Sequence, residues 1–358
     1  MSKPHGIILL GANGSGKSTL GRELASVLNF AHFDVEDYYF YRTEVPYTAE
    51  RPHHERNELM LSDMKKYGSY VVSGDVSGWG DEFLSAFELA VLLKTPKDIR
   101  MKRIEEREYA RWGDRVLEGG DMYESQQNFR SFVANRDIAE LEQRAEKYPC
   151  PVIELDSTDD MHINIAKIVE HYQRMFLCHY FEKAKGPLLS LSVLSQDEAD
   201  AIQQRLVSEH KTFAAQRNER YLTRRKELEL LVRDLFIEKG GKPEKDSPHY
   251  FVIGECPWLS TWYEEADFIK IPIKELDLYG DTFPSFSPHA TDGMEYRNTV
   301  YTYEEVLKII DKYGLPQDTW DKPVFAQPAY VEAQVWSDEI VMRYRQEWES
   351  KVGKNGNV

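Results

Sequence analysis

The 358-residue sequence predicts an α/β protein. A first domain carries a three-layer α/β/α arrangement around a five-stranded parallel sheet, and an α+β domain follows it. Three observations lead there. Short β-branched or apolar runs alternate with longer helical patterns over the first half of the chain, which is the signature of a parallel sheet with helices on both faces. The first run passes straight into a glycine-rich turn and then a helix, Gly11-Ala12-Asn13-Gly14-Ser15-Gly16-Lys17-Ser18. The alternation stops at Gly186-Pro187, beyond which charged helical stretches and aromatic runs follow without the same order. The expected domains are therefore 1–185 and 186–358.

Gly6 to Leu10 reads as a buried strand and Ser18 to Leu28 as the helix after it. Ala31-His32-Phe33 is a second strand ending in Asp34, and Arg51 to Lys66 has a helical pattern. Tyr70-Val71-Val72, bounded by Gly68 and Gly74, is a third strand with Asp75 close behind it. Leu89 to Leu93 is a fourth strand stopped by Thr95-Pro96. Ile99 to Trp112 is an arginine-rich helix, Gly113 to Asp121 a loop, and Gln126 to Lys147 one further helix. Val152 to Leu155 is the fifth strand, followed by Asp156-Ser157-Thr158, and Ile163 to Phe176 closes the domain as a helix. Ligands of such folds sit at the carboxyl ends of the strands. That rule gathers the glycine loop, Asp34, Asp75 and Asp156 on one edge.

Composition narrows the classes. The formal net charge is −16, which argues against broad binding to nucleic acid or anionic membrane. Cys150, Cys178 and Cys256 are far apart and make no metal-like cluster, as expected in a reducing cytosol. No apolar run approaches a membrane span and no secretory signal is visible, so a cytoplasmic location is expected.

The glycine stretch has the form of a phosphate-binding P-loop. Gly11, Asn13, Gly14, Ser15 and Gly16 let backbone N–H groups converge on one cup, and the following helix adds its positive dipole end. Lys17 can reach the β- and γ-phosphates, the Ser18 hydroxyl can hold Mg²⁺, and Thr19 continues the helix from the cup. ATP and Mg²⁺ are therefore the expected cofactors. Arg103, Arg107 and Arg111 fall at i, i+4 and i+8, a stripe of like charge that a bound polyphosphate would relieve. Arg115 follows a Gly-Asp turn and suits a closing lid. Arg130 and Arg136 sit in an ordinary charged helix, which makes Arg136 a weaker candidate. Asp34 and Asp37 could orient or deprotonate a hydroxyl acceptor, with an N-cap as the other reading of Asp34. Asp75 could hold Mg²⁺ through water, and Arg51 and Arg56 could recognise the acceptor.

Residues 4–178 resemble the P-loop small-molecule kinases of the adenylate/shikimate/gluconate kinase type. The P-loop, His32 to Tyr39, Ser73-Gly74-Asp75, Arg111 to Arg115 with Gly119 to Met122, and Ile153 to Ser157 carry the resemblance. It implies a five-stranded core with the P-loop strand in the middle, a mobile lid, and adenine near the loop that holds Ser157. The expected activity is transfer of the γ-phosphate of ATP to a small-molecule acceptor. Lys17, Asp34, Arg107, Arg111 and Arg115 would be catalytic. Asp34, Asp37, Arg51, Arg56 and Asp75 would line the acceptor side, with Ser18 and Asp75 at the metal. A nucleoside monophosphate kinase and a nucleotide-gated ATPase or regulatory protein stand as alternatives.

The second half resembles no family. Gln196 to Ile237 is expected to be more than one helix, His249 to Gly254 and Phe268 to Ile271 strands, Leu276 to Asp292 irregular, Tyr303 to Tyr313 and Ser337 to Lys351 helices, and Gly353 to Val358 disordered. Asp281, Asp292, Glu295 and Arg297 could form a polar site. Arg217, Arg220, Arg224 and Arg225 could receive a phosphate or belong to a solvated face. A homo-oligomer or protein contact through this half is left open.

Overall fold

The computed structural model describes residues 5–209, 220–276, 285–288, 299–319 and 330–355. The chain divides into two compact units, Met1–Val169 and Glu170–Val358.

In the first unit the elements run β1 (His5–Gly11), α1 (Lys17–Leu28), β2 (Ala31–Asp34), α2 (Val35–Tyr39), α3 (His53–Tyr67), β3 (Ser69–Ser73), α4 (Asp81–Leu84), β4 (Leu89–Lys94), α5 (Lys97–Trp112), a 3-10 turn (Gly113–Val116), α6 (Tyr123–Asn135), α7 (Ala139–Ala145), β5 (Val152–Asp156) and the start of α8 (Met161–Gln173). The five strands are parallel in the order β2-β3-β1-β4-β5, with the strand that feeds the P-loop in the middle. Ile7, Ile8, Leu9 and Leu10 are all buried, because helices cover both faces of a parallel sheet and each strand therefore reads as an unbroken apolar run. On one face Ile8, Leu10, Val72, Ala90 and Leu92 pack with Met60 and Met64 of α3 and Leu141 and Ala145 of α7.

The single helix expected over Gln126 to Lys147 is two. The chain leaves α6 at Arg136, whose backbone is extended (φ −64°, ψ 129°), and re-enters helix at Ala139, whose N–H is taken by the Asp137 carboxylate at 2.8 Å. This local side-chain bond competes with the helical ladder. It also turns Arg136 out of the helical row.

The second unit contains β6 (Phe176–Glu182), a 3-10 turn (Leu191–Val193), α9 (Gln196–Glu209), α10 (Tyr221–Glu238), β7 (His249–Ile253), α11 (Pro257–Ser260), β8 (Ala266–Pro272), α12 (Ile273–Leu276), β9 (Ser285–Pro288), α13 (Tyr303–Tyr313), α14 (Pro316–Thr319), β10 (Val331–Val335) and α15 (Glu339–Asn355). Its sheet, order β8-β6-β7-β10-β9, is antiparallel at each of its four pairings. Leu177, Phe251, Ile271 and Ala333 face Val306 and Ile310 of α13 and Ile340 and Val341 of α15. The result is the α+β arrangement expected.

Three differences from the sequence reading concern this unit. The helix expected to reach Phe176 stops at Gln173, and β6 begins at once and pairs with β7 and β8, so the division between units falls within α8 rather than at 185. β9 and β10 were not anticipated. β9 lies inside the stretch read as irregular, and β10 is only five residues long. Helix α15 runs through Gly353 to Asn355, residues expected to be disordered. Arg217, Asp281, Asp292, Glu295 and Arg297 lie outside the described residues. Arg225 is not a surface cation. It is tied to Glu229 (3.1 Å) and to the Tyr221 hydroxyl (2.9 Å) and stacks on Tyr250, while Arg224 pairs with Glu227 on the exposed side.

Candidate phosphate-binding site

The P-loop closes between β1 and α1. Gly14 and Gly16 have φ of +80° and +93°, in the left-handed region that side chains disfavour. Gly14 is also held against α5, since a Cβ there would lie 2.6 Å from the Arg100 carbonyl oxygen. Inside the loop the Ser15 N–H donates to the Ala12 carbonyl at 3.1 Å. The Lys17 ammonium folds over the loop and donates to the Gly11 and Ala12 carbonyls at 2.8 and 3.0 Å. Burial pulls its pKa down to about 8, against the upward pull of Glu36 and Asp34 and with further lowering from Arg136 and Arg107. Ser18 and Thr19 open α1, and the Thr19 N–H donates back to the Gly16 carbonyl at 3.1 Å.

Two arginines touch the loop. Arg103 spans from the Ser15 carbonyl (3.3 Å) to the Ser157 hydroxyl and carbonyl (3.1 and 3.0 Å). The Ser157 hydroxyl also shares a 2.6 Å bond with Thr95, which joins the loop after β5 to the end of β4. Arg136 donates to the Asn13 side chain at 2.9 Å. The arginines expected to act from the lid have other partners. Arg107 pairs with its neighbour Glu108 at 2.9 Å, Arg111 faces Tyr47, and Arg115 pairs with Asp121 at 2.7 Å over the Trp112 ring. Arg103 begins the four-residue stripe and so had a signal in the sequence. Arg136 had none, because its role depends on the break between α6 and α7.

The carboxylates after β2 also act on Lys17. Asp34 caps α2 by accepting the Glu36 N–H at 3.1 Å, and it still acts on Lys17. The structure gives greater weight to Glu36, which the sequence reading passed over, since its charge acts on Lys17 more strongly than that of Asp34. Asp37 is exposed and lies near His32 and Tyr38 instead.

The remaining candidates separate. Arg56 is buried between two rings, 4.9 Å from Tyr39 and 4.2 Å from Trp79, and has no ion pair among the described residues. Arg51 does a structural job: it pairs with Glu55 at 3.1 Å and donates to the Asp37 and Tyr38 carbonyls. Asp75 is held by its own neighbours. Its carboxylate, expected at the metal, accepts the Ser77 N–H and hydroxyl (2.9 and 3.1 Å), Arg144 (3.0 Å) and the Tyr148 hydroxyl (2.9 Å). Burial alone would raise its pKa, but these donors outweigh it and hold the carboxyl below its usual range. With four donors on two oxygens, Asp75 locks the loop after β3 to α7. No group of three or more His, Cys, Asp or Glu side chains suited to a metal occurs among the described residues. Nor, among them, is any helix long and apolar enough to cross a membrane.

Comparisons with known proteins agree with this picture of the first unit. Residues 7–131 match the family described as AAA domain. The uncharacterized protein YqaC of Bacillus subtilis (strain 168) is 36% identical over 166 residues, which is 44% of this chain and 90% of YqaC. Among solved structures, shikimate kinase from Bacteroides thetaiotaomicron aligns at 22% identity and a TM-score of 0.30, covering 46% of this chain and 96% of its own. Shikimate kinase from Acinetobacter baumannii in complex with shikimate aligns at 17% and 0.32, covering 48% and 93%. By its likeness to YqaC, 90% of which it spans, the chain belongs to the YqaC family, and its first unit is a P-loop protein with the loop at the end of the central strand of a five-stranded parallel sheet.

Proposed function

We propose that the protein is an ATP- and Mg²⁺-dependent phosphotransferase that moves the γ-phosphate of ATP to a hydroxyl of a small molecule. The observation that carries this is the setting of Lys17. Its ammonium rests on the Gly11 and Ala12 carbonyls at 2.8 and 3.0 Å, within reach of the charges of two carboxylates, Glu36 and Asp34, and of two arginines, Arg136 and Arg107. Phosphoryl transfer is mostly positioning and charge stabilisation. A loop with cations suits the polyphosphate, and a nearby carboxylate suits an acceptor that carries a proton to be oriented or removed. In this reading the P-loop amides and Lys17 hold the phosphates, Ser18 holds the metal, Ser157 and Arg103 flank the nucleotide, and Glu36 or Asp34 orients the acceptor hydroxyl. The guanidinium of Arg56, set between Tyr39 and Trp79 and bonded to the Asn57 side chain at 3.3 Å but with no ion pair among the described residues, fits an acceptor that also bears an anionic group. That none of the three cysteines forms a disulfide fits a cytoplasmic enzyme.

The test is to incubate the protein with γ-labelled ATP, Mg²⁺ and a metabolite extract and to identify the labelled product. A labelled alcohol phosphate that disappears with Lys17→Ala is expected. Labelled inorganic phosphate alone would favour a nucleotide-gated ATPase, and a labelled nucleoside diphosphate would favour a nucleoside monophosphate kinase.

A further inference from the structure

Helix α5 buries the stripe Arg100, Ile104 and Glu108. Two of these residues back onto the P-loop: a Cβ on Gly14 would lie 2.6 Å from the Arg100 carbonyl oxygen and 3.1 Å from Ile104. Glu108 is balanced by Arg107. Arg100 is not balanced. It is 1% exposed, its Nε and Nη1 have no hydrogen-bond partner, and it forms no ion pair among the described residues. Glu108 lies eight residues along the same helix, about 12 Å away, too far to pair with it. The charge that acts on Arg100 is another cation, Arg136, the residue bonded to Asn13 of the loop. An arginine cannot shed its proton as a buried lysine can. A buried guanidinium with unmet N–H groups is costly unless an anion answers it.

We propose that Arg100 is a ligand of the bound anion, and that with Arg136 it takes a phosphoryl group at the Asn13–Gly14 shoulder of the P-loop. This rests on the reading of the loop as a polyphosphate site and adds to it a residue that no loop motif contains.

The experiment compares the full chain with Arg100→Met, which keeps length and apolar bulk, by calorimetric titration with inorganic pyrophosphate and with ATP and by thermal unfolding without ligand. Arg100→Met is expected to weaken pyrophosphate and ATP alike, by about tenfold or more, as loss of a charge-assisted bond implies. It is also expected to raise the ligand-free unfolding midpoint, because an unpaired buried cation has been removed. Binding of both anions within about twofold of the parent, at whatever midpoint, overturns the proposal. So does a loss confined to ATP, which would place Arg100 away from the phosphates. Failure of the parent chain itself to bind either anion, matching Lys17→Ala, strikes instead at the nucleotide reading.

Discussion

Arg136 donates a hydrogen bond of 2.9 Å to the side chain of Asn13, 123 residues earlier in the chain. The bond joins the break between α6 and α7 to the phosphate loop, so the loop's shape depends on that break. Arg136→Ala is expected to lower phosphoryl transfer by about 10- to 100-fold, the loss of one charge-assisted contact. Stability should change by less than about 1 kcal/mol, as for a partly exposed polar contact. Steady-state kinetics and urea unfolding on the same preparation check both halves.

Lys17 gives a pH dependence. Its pKa in the ligand-free protein is about 8, and phosphates need its charged form. Nucleotide binding should therefore take up a proton near pH 8.5 and weaken toward about tenfold per unit above pH 8, until the pKa of the bound state is reached. Titration calorimetry in two buffers of different ionisation enthalpy measures the uptake directly.

Asp75→Asn separates a metal role from a structural one. Its four donors predict a loss of about 1–3 kcal/mol in stability of the first unit, with Arg144 left to its second partner, Glu140. Mg²⁺ dependence of activity should not change. A tenfold shift in the Mg²⁺ requirement with unchanged stability would reverse the assignment.

Gly21 lies in α1 where a Cβ would come within 2.3 Å of the Ser73 hydroxyl and 2.7 Å of His32 Nε2. Gly21→Ala should destabilise by about 1–3 kcal/mol through overpacking. Adding Ser73→Ala should recover part of the loss, although the 3.1 Å bond from Ser73 to the Lys17 carbonyl goes with it. Urea denaturation of the single and double variants tests the coupling.

In the second unit His179 is bonded at both ring nitrogens, to the Tyr250 carbonyl (2.7 Å) and the Leu188 N–H (3.0 Å), and burial lowers its pKa to about 4. Between pH 6.5 and 4 the unfolded chain holds a proton that the folded chain refuses. Stability should thus fall toward acid by about 1.4 kcal/mol per unit and level off below pH 4. Five of the seven tryptophans lie beyond residue 170, so fluorescence-detected unfolding follows this unit. His179→Gln should flatten the slope.

The P-loop and the five strands were legible because each depends on local sequence. A glycine turn needs its glycines, and a strand covered on both faces shows as an apolar run, as Ile7 to Leu10 does. The arginine stripe on α5 was legible for the same reason, but its partners were not. Arg107 and Arg115 meet acids close in sequence, Glu108 and Asp121, but the spacing did not say that these acids rather than a ligand would take them. Glu36 was passed over because carboxylates two residues apart look alike until a backbone cap claims one of them, here Asp34. Asp75 looked like a metal residue from its place after a strand, and its donors Arg144 and Tyr148 arrive from some seventy residues away. β6 was missed because a short apolar run after a helix can be read as its last turn.

The Lys17 ammonium resting on the Gly11 and Ala12 carbonyls has one more consequence. The lysine spends two of its hydrogens on the loop's own carbonyls, so an anion that takes the ammonium must replace those bonds. A single small anion recovers little from that exchange. A chain of phosphates recovers it several times over, along the amides, Arg103 and Arg136. Such a loop is expected to favour a polyphosphate over orthophosphate, which competition between pyrophosphate and orthophosphate in a binding titration would check.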